Sequence, residues 1–213
     1  RDRIVEDVKV GTTTATELLF LKYMMDSLRS GGRCGVIVPE GVLFGSTGAH
    51  RELRRQLIEN NRVEAVLSLP GGVFQPYSGV KTSVLFLRKG GSTERVLFLH
   101  ADNDGYKLDA NHDTPIEADD LPGLAQAYVL RESAWAKWTA REGGAEWDEK
   151  WWFADAAALR ANDFNLSAGR YRPMSQAQVK HRDPRELLDE LAAIEAEIAE
   201  EVSALRAFIA EES

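Results

Sequence analysis

Apolar positions along the chain change their period several times, and each change marks an element. After "TATE", Thr14–Glu17, the residues Leu18, Leu21, Met25 and Leu28 recur at helical spacing. Thr14 and Glu17 have the spacing of a capping box, with Thr14 as N-cap. Gly31 and Gly32 stop the helix. "CGVIVP" is a continuous apolar run, the pattern of a strand covered on both faces, and Pro39 ends it. A second helix is predicted from about Ala49 to Asn60, with Leu53, Leu57 and Ile58 inward and Arg51, Arg54 and Arg55 on its other face. "VEAVLSL", "VKTSVLFLR" and "RVLFLH" read as strands. The short Gly-Gly link between the last two predicts an antiparallel hairpin.

The first hundred residues thus read helix–strand–helix–strand–strand–strand, which argues an α/β layer fold. Three or four strands with two helices make half a doubly wound sheet, so the other half is expected upstream. Residues 1–115 form this α/β part. Residues 116–180 are expected to be a helical subdomain. All five tryptophans lie between Trp135 and Trp152, and Trp135/Trp138 and Trp147/Trp151 are at helical spacing. They pack that subdomain or form a partner surface. Residues 181–213 read as one long acidic helix. Its stripe, Leu187, Leu191, Ile194, Ile198, Val202, Leu205 and Ile209, is nearly heptad. The stripe must be buried against its own domain or against a helix of another subunit.

Charge sharpens this division. The 213-residue chain carries −8, and residues 183–213, with ten acids and two arginines, account for all of it. The rest holds 24 basic and 24 acidic residues and is no general polyanion binder. No run approaches the roughly 18 apolar residues of a membrane span, and the first residues, "RDRIVEDVKV", have no secretory h-region. The single cysteine, Cys34, allows no intramolecular disulfide and is expected to be a buried, inert thiol. An intracellular, cytoplasmic location follows.

Candidate chemistry is sparse. Neither G-x-G-x-x-G nor a P-loop occurs. "DNDG" lacks the acidic pattern of a calcium loop and reads as a turn. The four histidines lack zinc-ligand spacing, so no metal site is expected. Glu40 follows the strand "CGVIVP", where α/β folds place ligand-facing groups. The loop before "VKTSVLFLR", "PGGVFQPYSG", carries Phe74 and Tyr77 among glycines and prolines.

Three longer strings are more specific. "TTATELLFLKYMMDSLRSGGRCGVIVPEGVLFGS", "LRRQLIENNRVEAVLSLPGGVFQPYSGVKTSVLFLRKG" and "LRANDFNLSAGRYRP" occur in that order. Together they closely resemble the modification subunits of type I restriction–modification systems, which are adenine-specific DNA methyltransferases. The resemblance covers about residues 12–173. It implies the C-terminal half of an S-adenosylmethionine-dependent methyltransferase (Rossmann-like) sheet with an α-helical tail. The family's cofactor loop and Asn-Pro-Pro-Phe motif do not occur here. The resemblance therefore implies a fragment that is inactive alone, with S-adenosylmethionine binding only to the full-length enzyme.

By the same resemblance, Phe74 is the aromatic that stacks on the flipped adenine, with Tyr77 as its rival. The bland alternative is that Phe74 plugs the sheet edge. Lys81 and Thr82 match the family string. Lys81 could pair with a phosphate or be a solvated strand-start lysine. Glu40 and Phe44, in "PEGVLFGS", should line the same cleft mouth. The implied partners are DNA, the specificity subunit and the restriction subunit, with the acidic helix and "NDFNLSAGRY" as docking candidates. A non-enzymatic α/β module that oligomerises through its tail is the alternative. A methyltransferase acting on cytosine or protein is a third possibility.

Overall fold

The computed structural model describes residues 13–139 and 150–173, together with Ile194, Glu195, Ile198 and Val202. The chain divides into two compact units, residues 1–173 and 174–213.

In the first unit α1 spans Thr16–Ser27, β1 Arg33–Pro39, α2 Glu40–Phe44, α3 Gly48–Glu59, β2 Asn61–Ser68, β3 Thr82–Lys89 and β4 Arg95–His100. A small hairpin of β5, Asp104–Tyr106, and β6, Pro115–Asp119, follows. Then come α4, Leu121–Val129, α5, Arg131–Thr139, β7, Trp151–Asp155, and α6, Ala156–Ala161, before a single 3₁₀ turn at Ala168–Arg170. The main sheet has five strands in the order β1-β3-β2-β4-β7. It is mixed. β3 runs antiparallel to both β1 and β2, β2 and β4 are parallel, and β7 is antiparallel to β4.

The sheet is covered differently on its two faces. On one, Leu18, Leu21 and Met25 of α1 and Leu53, Leu57 and Ile58 of α3 pack on Val66, Leu85, Phe98 and Trp152. On the other, Leu124 of α4 packs on Ala65, Leu97, Leu99 and Phe153. This second cover does not extend over β1, where burial alternates and Ile37 is 51% exposed. The run "CGVIVP" is therefore a half-covered edge strand rather than one buried on both faces. Cys34, on the covered face, is half-buried against the first core, and burial pushes its thiol pKa up.

The two glycines between β3 and β4 do not close a hairpin. Gly90 and Gly91 both take positive φ, +82°, and the link passes under the start of β2. Thr93 pins it there. Its N–H donates to Ile58 O (2.8 Å), its hydroxyl donates to Asn61 O (3.0 Å) and accepts the Val63 N–H (2.9 Å). β4 consequently lies on the far side of β2. The strands run in opposite directions, as expected, but are not neighbours.

Three further expectations fall differently. α1 begins at Thr16 with Ala15 as its N-cap and no side-chain cap, so the Thr14–Glu17 capping box does not form. Thr13 Oγ1 accepts the Ala15 N–H (3.1 Å) instead, and Glu17 accepts the Thr16 hydroxyl (3.4 Å). "DNDG" enters strand β5 rather than a simple turn. Trp151 lies on a strand, not a helix, because β7 joins the main sheet through β4. Trp135, on α5, packs edge-on against Phe153 (5.2 Å), with the Arg95 guanidinium over its ring (4.8 Å). Trp147 and the side chain of Trp138 lie outside the described residues.

Of the tail stripe, Ile194, Ile198 and Val202 are helical and 54%, 56% and 45% exposed. Its other members lie outside the described residues. No described helix is long and apolar enough to cross a membrane.

Candidate functional site

The carboxyl ends of β1 and β2 and the start of β3 meet at one end of the sheet. Register places Pro39 beside Thr82, and Ser83 between Val38 and Ser68. Glu40 opens α2 directly after β1. Its Oε1 accepts the Ser68 hydroxyl (3.2 Å) and lies 3.2 Å from Lys81 Nζ. Its backbone N–H donates to Lys81 O (3.1 Å), which ties the turn after β1 to the start of β3. Ser68, Thr82 and Ser83 are all buried, and the Thr82 and Ser83 hydroxyls have no hydrogen-bond partner among the described residues. Unpartnered buried hydroxyls are uncommon and mark this end as polar inside.

The loop between β2 and β3 leaves and rejoins the sheet at this end, where the Leu69 N–H donates to Thr82 O (3.1 Å). Gly72 O accepts the Gln75 N–H (2.9 Å), and Phe74 O accepts both the Tyr77 and Ser78 N–H groups (2.9 Å each). Phe74 is half-buried and bridged to Ser78. Tyr77 is 93% exposed. Neither ring makes a ring–ring or cation–π contact among the described residues. Phe44 closes α2 one turn beyond Glu40 and is 52% exposed. The structure thus brings Glu40 and Lys81 into contact. Phe74 and Tyr77 belong to the loop that leads into Lys81, and Phe44 to the helix that Glu40 opens. Lys81, expected to meet a phosphate or solvent, has a carboxylate as its partner here.

Sequence reasoning missed two positions. Ser68 closes an otherwise apolar strand, and that single polar end was its only signal. Arg54 was placed on the outer face of its helix, yet it is 2% exposed. Its guanidinium donates to four carbonyls: Gly45 O (2.9 Å), Phe164 O (3.1 Å), Val42 O (3.2 Å) and Asp163 O (3.4 Å). The signal was its position one turn before Ile58. Arg54 fixes the end of α2 to residues 163–164, both with φ near +55°. Leu166 N–H donates to Leu43 O (2.9 Å) and completes the tie. An added Cβ at Gly45 would lie 2.4 Å from the His50 ring, which would have to move aside. Burial, then the Arg54 guanidinium, push the His50 imidazole down from its ordinary pKa, while Glu17 opposes them.

"NDFNLSAGRY" is consequently engaged in its own unit. Leu166 and Ala168 are buried, Tyr171 stacks on Phe98 (5.1 Å), and its hydroxyl donates to Asn165 O (2.7 Å).

The family model for N-6 DNA Methylase matches residues 1–180. The chain belongs to the N-6 DNA methylase family. It is 31% identical over 189 residues to the type I restriction enzyme EcoEI methylase subunit of Escherichia coli, covering 88% of this chain and 36% of that one. It is 29% identical to the StySJI methylase subunit of Salmonella typhimurium, covering 80% and 33%. Thus this methylase chain spans about a third of the length of these curated relatives. Among solved structures, a chain from work on complex assembly and conformational transition of the type I R-M system superposes with a TM-score of 0.58 at 29% identity, over 95% of this chain and 41% of that one. A modification subunit of a putative type I restriction enzyme from Vibrio vulnificus shares the fold, with a TM-score of 0.56 at 21% identity over 81% of this chain and 35% of that one.

The family uses S-adenosylmethionine, but the turn after β1, the strand-to-helix turn at this candidate site, does not fit a nucleotide cradle. Such a cradle needs free backbone N–H groups at a strand-to-helix turn. At the turn after β1, Pro39 has no N–H and the Glu40 N–H is taken by Lys81 O. The Glu40 carboxylate is already engaged by Ser68 and Lys81.

Proposed function

We propose that this chain forms the target-base side of the cleft in a type I modification subunit. The whole protein then methylates the exocyclic amine of adenine in duplex DNA, within a complex that includes a specificity subunit and a restriction subunit in the cytoplasm. The observation that carries this reading is that the Phe74–Tyr77 loop leads directly into Lys81, which pairs with Glu40 at the carboxyl ends of β1 and β2, in a chain of the N-6 DNA methylase family. S-adenosylmethionine, held by other parts of the protein, supplies the methyl group. The fragment alone is inactive in this reading.

Catalysis on a base inside a duplex requires the nucleotide to leave the stack. Phe74 takes the face of the extruded adenine. Stacking on an aromatic contributes about 1–3 kcal/mol per base, comparable to the unstacking cost of a few kcal/mol. Its half-buried position, with a carbonyl held by two N–H groups, limits the freedom lost on binding. Tyr77 at the loop tip meets the flanking backbone. Lys81 leaves Glu40 to pair with a phosphate beside the flipped nucleotide. The outer edge of β1 has no strand partner among the described residues. It is where the sheet half carrying the cofactor loop and the Asn-Pro-Pro-Phe motif pairs.

The test is a duplex with a fluorescent adenine analogue at the target position, bound by the full-length methylase with its specificity subunit. Phe74→Ala should weaken binding about 5- to 100-fold, the equivalent of one stacking contact, and unquench the analogue. Unchanged affinity and turnover return Phe74 to packing the sheet edge. The same loss with Tyr77→Ala instead moves the role to Tyr77.

A further inference from the structure

At the opposite end of the same three strands, about 20 Å away for a strand of seven residues, lies a feature that base extrusion does not use. Register places Arg33 of β1 beside Arg88 of β3, and Arg88 beside Arg62 of β2. Directly paired residues on neighbouring strands project from the same face, so three guanidinium groups stand in a row across the sheet. Like charges directly opposite each other on a sheet are destabilising. A row of three needs a reason.

The row borders a cavity of about 190 Å³ that is also lined by Arg95 and Arg131, against three glutamates. The glutamates are unevenly engaged. Glu64, only 8% exposed, accepts the Tyr128 hydroxyl (2.6 Å) and lies 3.4 Å from Arg131 and 3.6 Å from Arg33. Glu94 and Glu132 pair with Arg95. Arg131 and Arg95 are further fixed over the rings of Tyr128 (4.4 Å) and Trp135 (4.8 Å). Arg62 and Arg88 are exposed and have no ion pair among the described residues. The cavity therefore has a buried, hydrogen-bonded acidic base, two oriented arginines on one wall, and two unengaged ones on the rim.

We infer that this cavity is a second, anion-binding site that takes a phosphate-bearing ligand, separate from the base-binding cleft. Guanidinium groups are planar forks that match phosphate oxygens two at a time. Neighbouring strands hold them about 4.8 Å apart, close enough for adjacent arginines to share one di- or oligophosphate group. The concave shape favours such a compact group over an extended acidic surface. The phosphates could belong to a free oligophosphate or to a nucleic-acid backbone, and the site chemistry is the same for both.

The probe is inorganic pyrophosphate, added to the 213-residue chain while its thermal midpoint is followed at constant ionic strength. A ligand that binds only the folded state raises the midpoint with its concentration. The expected result is a saturable rise that sodium chloride at the same ionic strength does not give. The double variant Arg62→Gln, Arg88→Gln should lose this rise. Without pyrophosphate its midpoint should equal or exceed that of the parent, because the like-charge row is relieved. Both positions are exposed, so the fold should survive, and far-ultraviolet circular dichroism checks it. No rise in the parent, or an equal rise in parent and variant, overturns the site. A random-sequence duplex that displaces pyrophosphate identifies the source as a nucleic-acid backbone. Retention of pyrophosphate against the duplex identifies a free oligophosphate.

Discussion

The guanidinium of Arg54 donates to the carbonyl of Phe164 across 110 positions of sequence (3.1 Å). This bond, with three others to carbonyls of Val42, Gly45 and Asp163, holds the end of α2 against the segment that closes the unit. Burial lowers the Arg54 pKa, but an arginine remains charged in a protein. Arg54→Met should therefore destabilise the fold by on the order of 3 kcal/mol, because buried carbonyls lose a charged donor. Arg54→Lys should recover little, since one ammonium cannot reproduce the fork. Urea denaturation of the two variants reads the difference, and a Lys variant as stable as the parent would contradict the four-carbonyl account.

Tyr128 and Glu64 give the fold an alkaline limit. Burial, then the hydrogen bond to the Glu64 carboxylate, push the Tyr128 phenol up to about 12. Because the folded-state pKa lies above the ordinary value near 10, the neutral phenol stabilises the fold. That contribution is complete below about pH 10 and is lost as pH rises towards 12. Burial likewise raises Tyr171 to about 12. Tyr128→Phe should lower stability by about 1 kcal/mol at neutral pH, the contribution of one hydrogen bond. It should also flatten the loss between pH 10 and 12. Thermal midpoints at steps across that window check the slope. An unchanged slope would assign the alkaline loss to Tyr171 alone.

The sequence made the helices and strands of the first hundred residues legible, because each buries an apolar set with its own period. Leu18, Leu21 and Met25 sit on one helical face as their spacing demands. Strand adjacency was not legible. The "GGSTE" link is short enough for a hairpin, but Thr93, through Ile58, Asn61 and Val63, and the Gly90 N–H, which donates to Asn61 Oδ1 (3.2 Å), take it beneath β2. Nor was the burial of Arg54, since a charged residue beside an apolar stripe reads as solvated unless its carbonyl partners, far along the chain, are known. The residues of the candidate cleft were legible only as members of a family string. That Lys81 meets Glu40 follows from β3 lying beside β1, a pairing that no local pattern encodes.

Lys81 and Glu40 make a prediction about DNA binding in the full-length methylase. If Lys81 must exchange Glu40 for a phosphate, removing the carboxylate frees the ammonium in advance. Glu40→Gln should therefore tighten binding of a cognate duplex at low salt, and Lys81→Ala should weaken it. Each phosphate contact contributes roughly 0.9 to the slope of log affinity against log salt. Lys81→Ala should reduce that slope by about 1, and Glu40→Gln should leave it at or above the parent value. A Lys81→Ala enzyme with an unaltered slope leaves Lys81 as a solvated strand-start residue.

The tail stripe bears on subunit assembly. Ile194, Ile198 and Val202 step by four along a helix and are each about half exposed. Burying an aliphatic side chain of this size contributes about 1.5–3 kcal/mol, so three that lie on one face supply a docking surface. In the proposed complex that surface meets the specificity subunit. Ile194→Asp with Ile198→Asp places two charges in the contact and should abolish co-purification of the two subunits. Glu195→Gln, beside the stripe, should leave assembly intact and controls for a general effect of substitution in this helix. Light scattering over a concentration series separates the competing occupant. If the parent chain forms a discrete self-associated species that a specificity subunit does not disturb, the stripe joins copies of this chain instead.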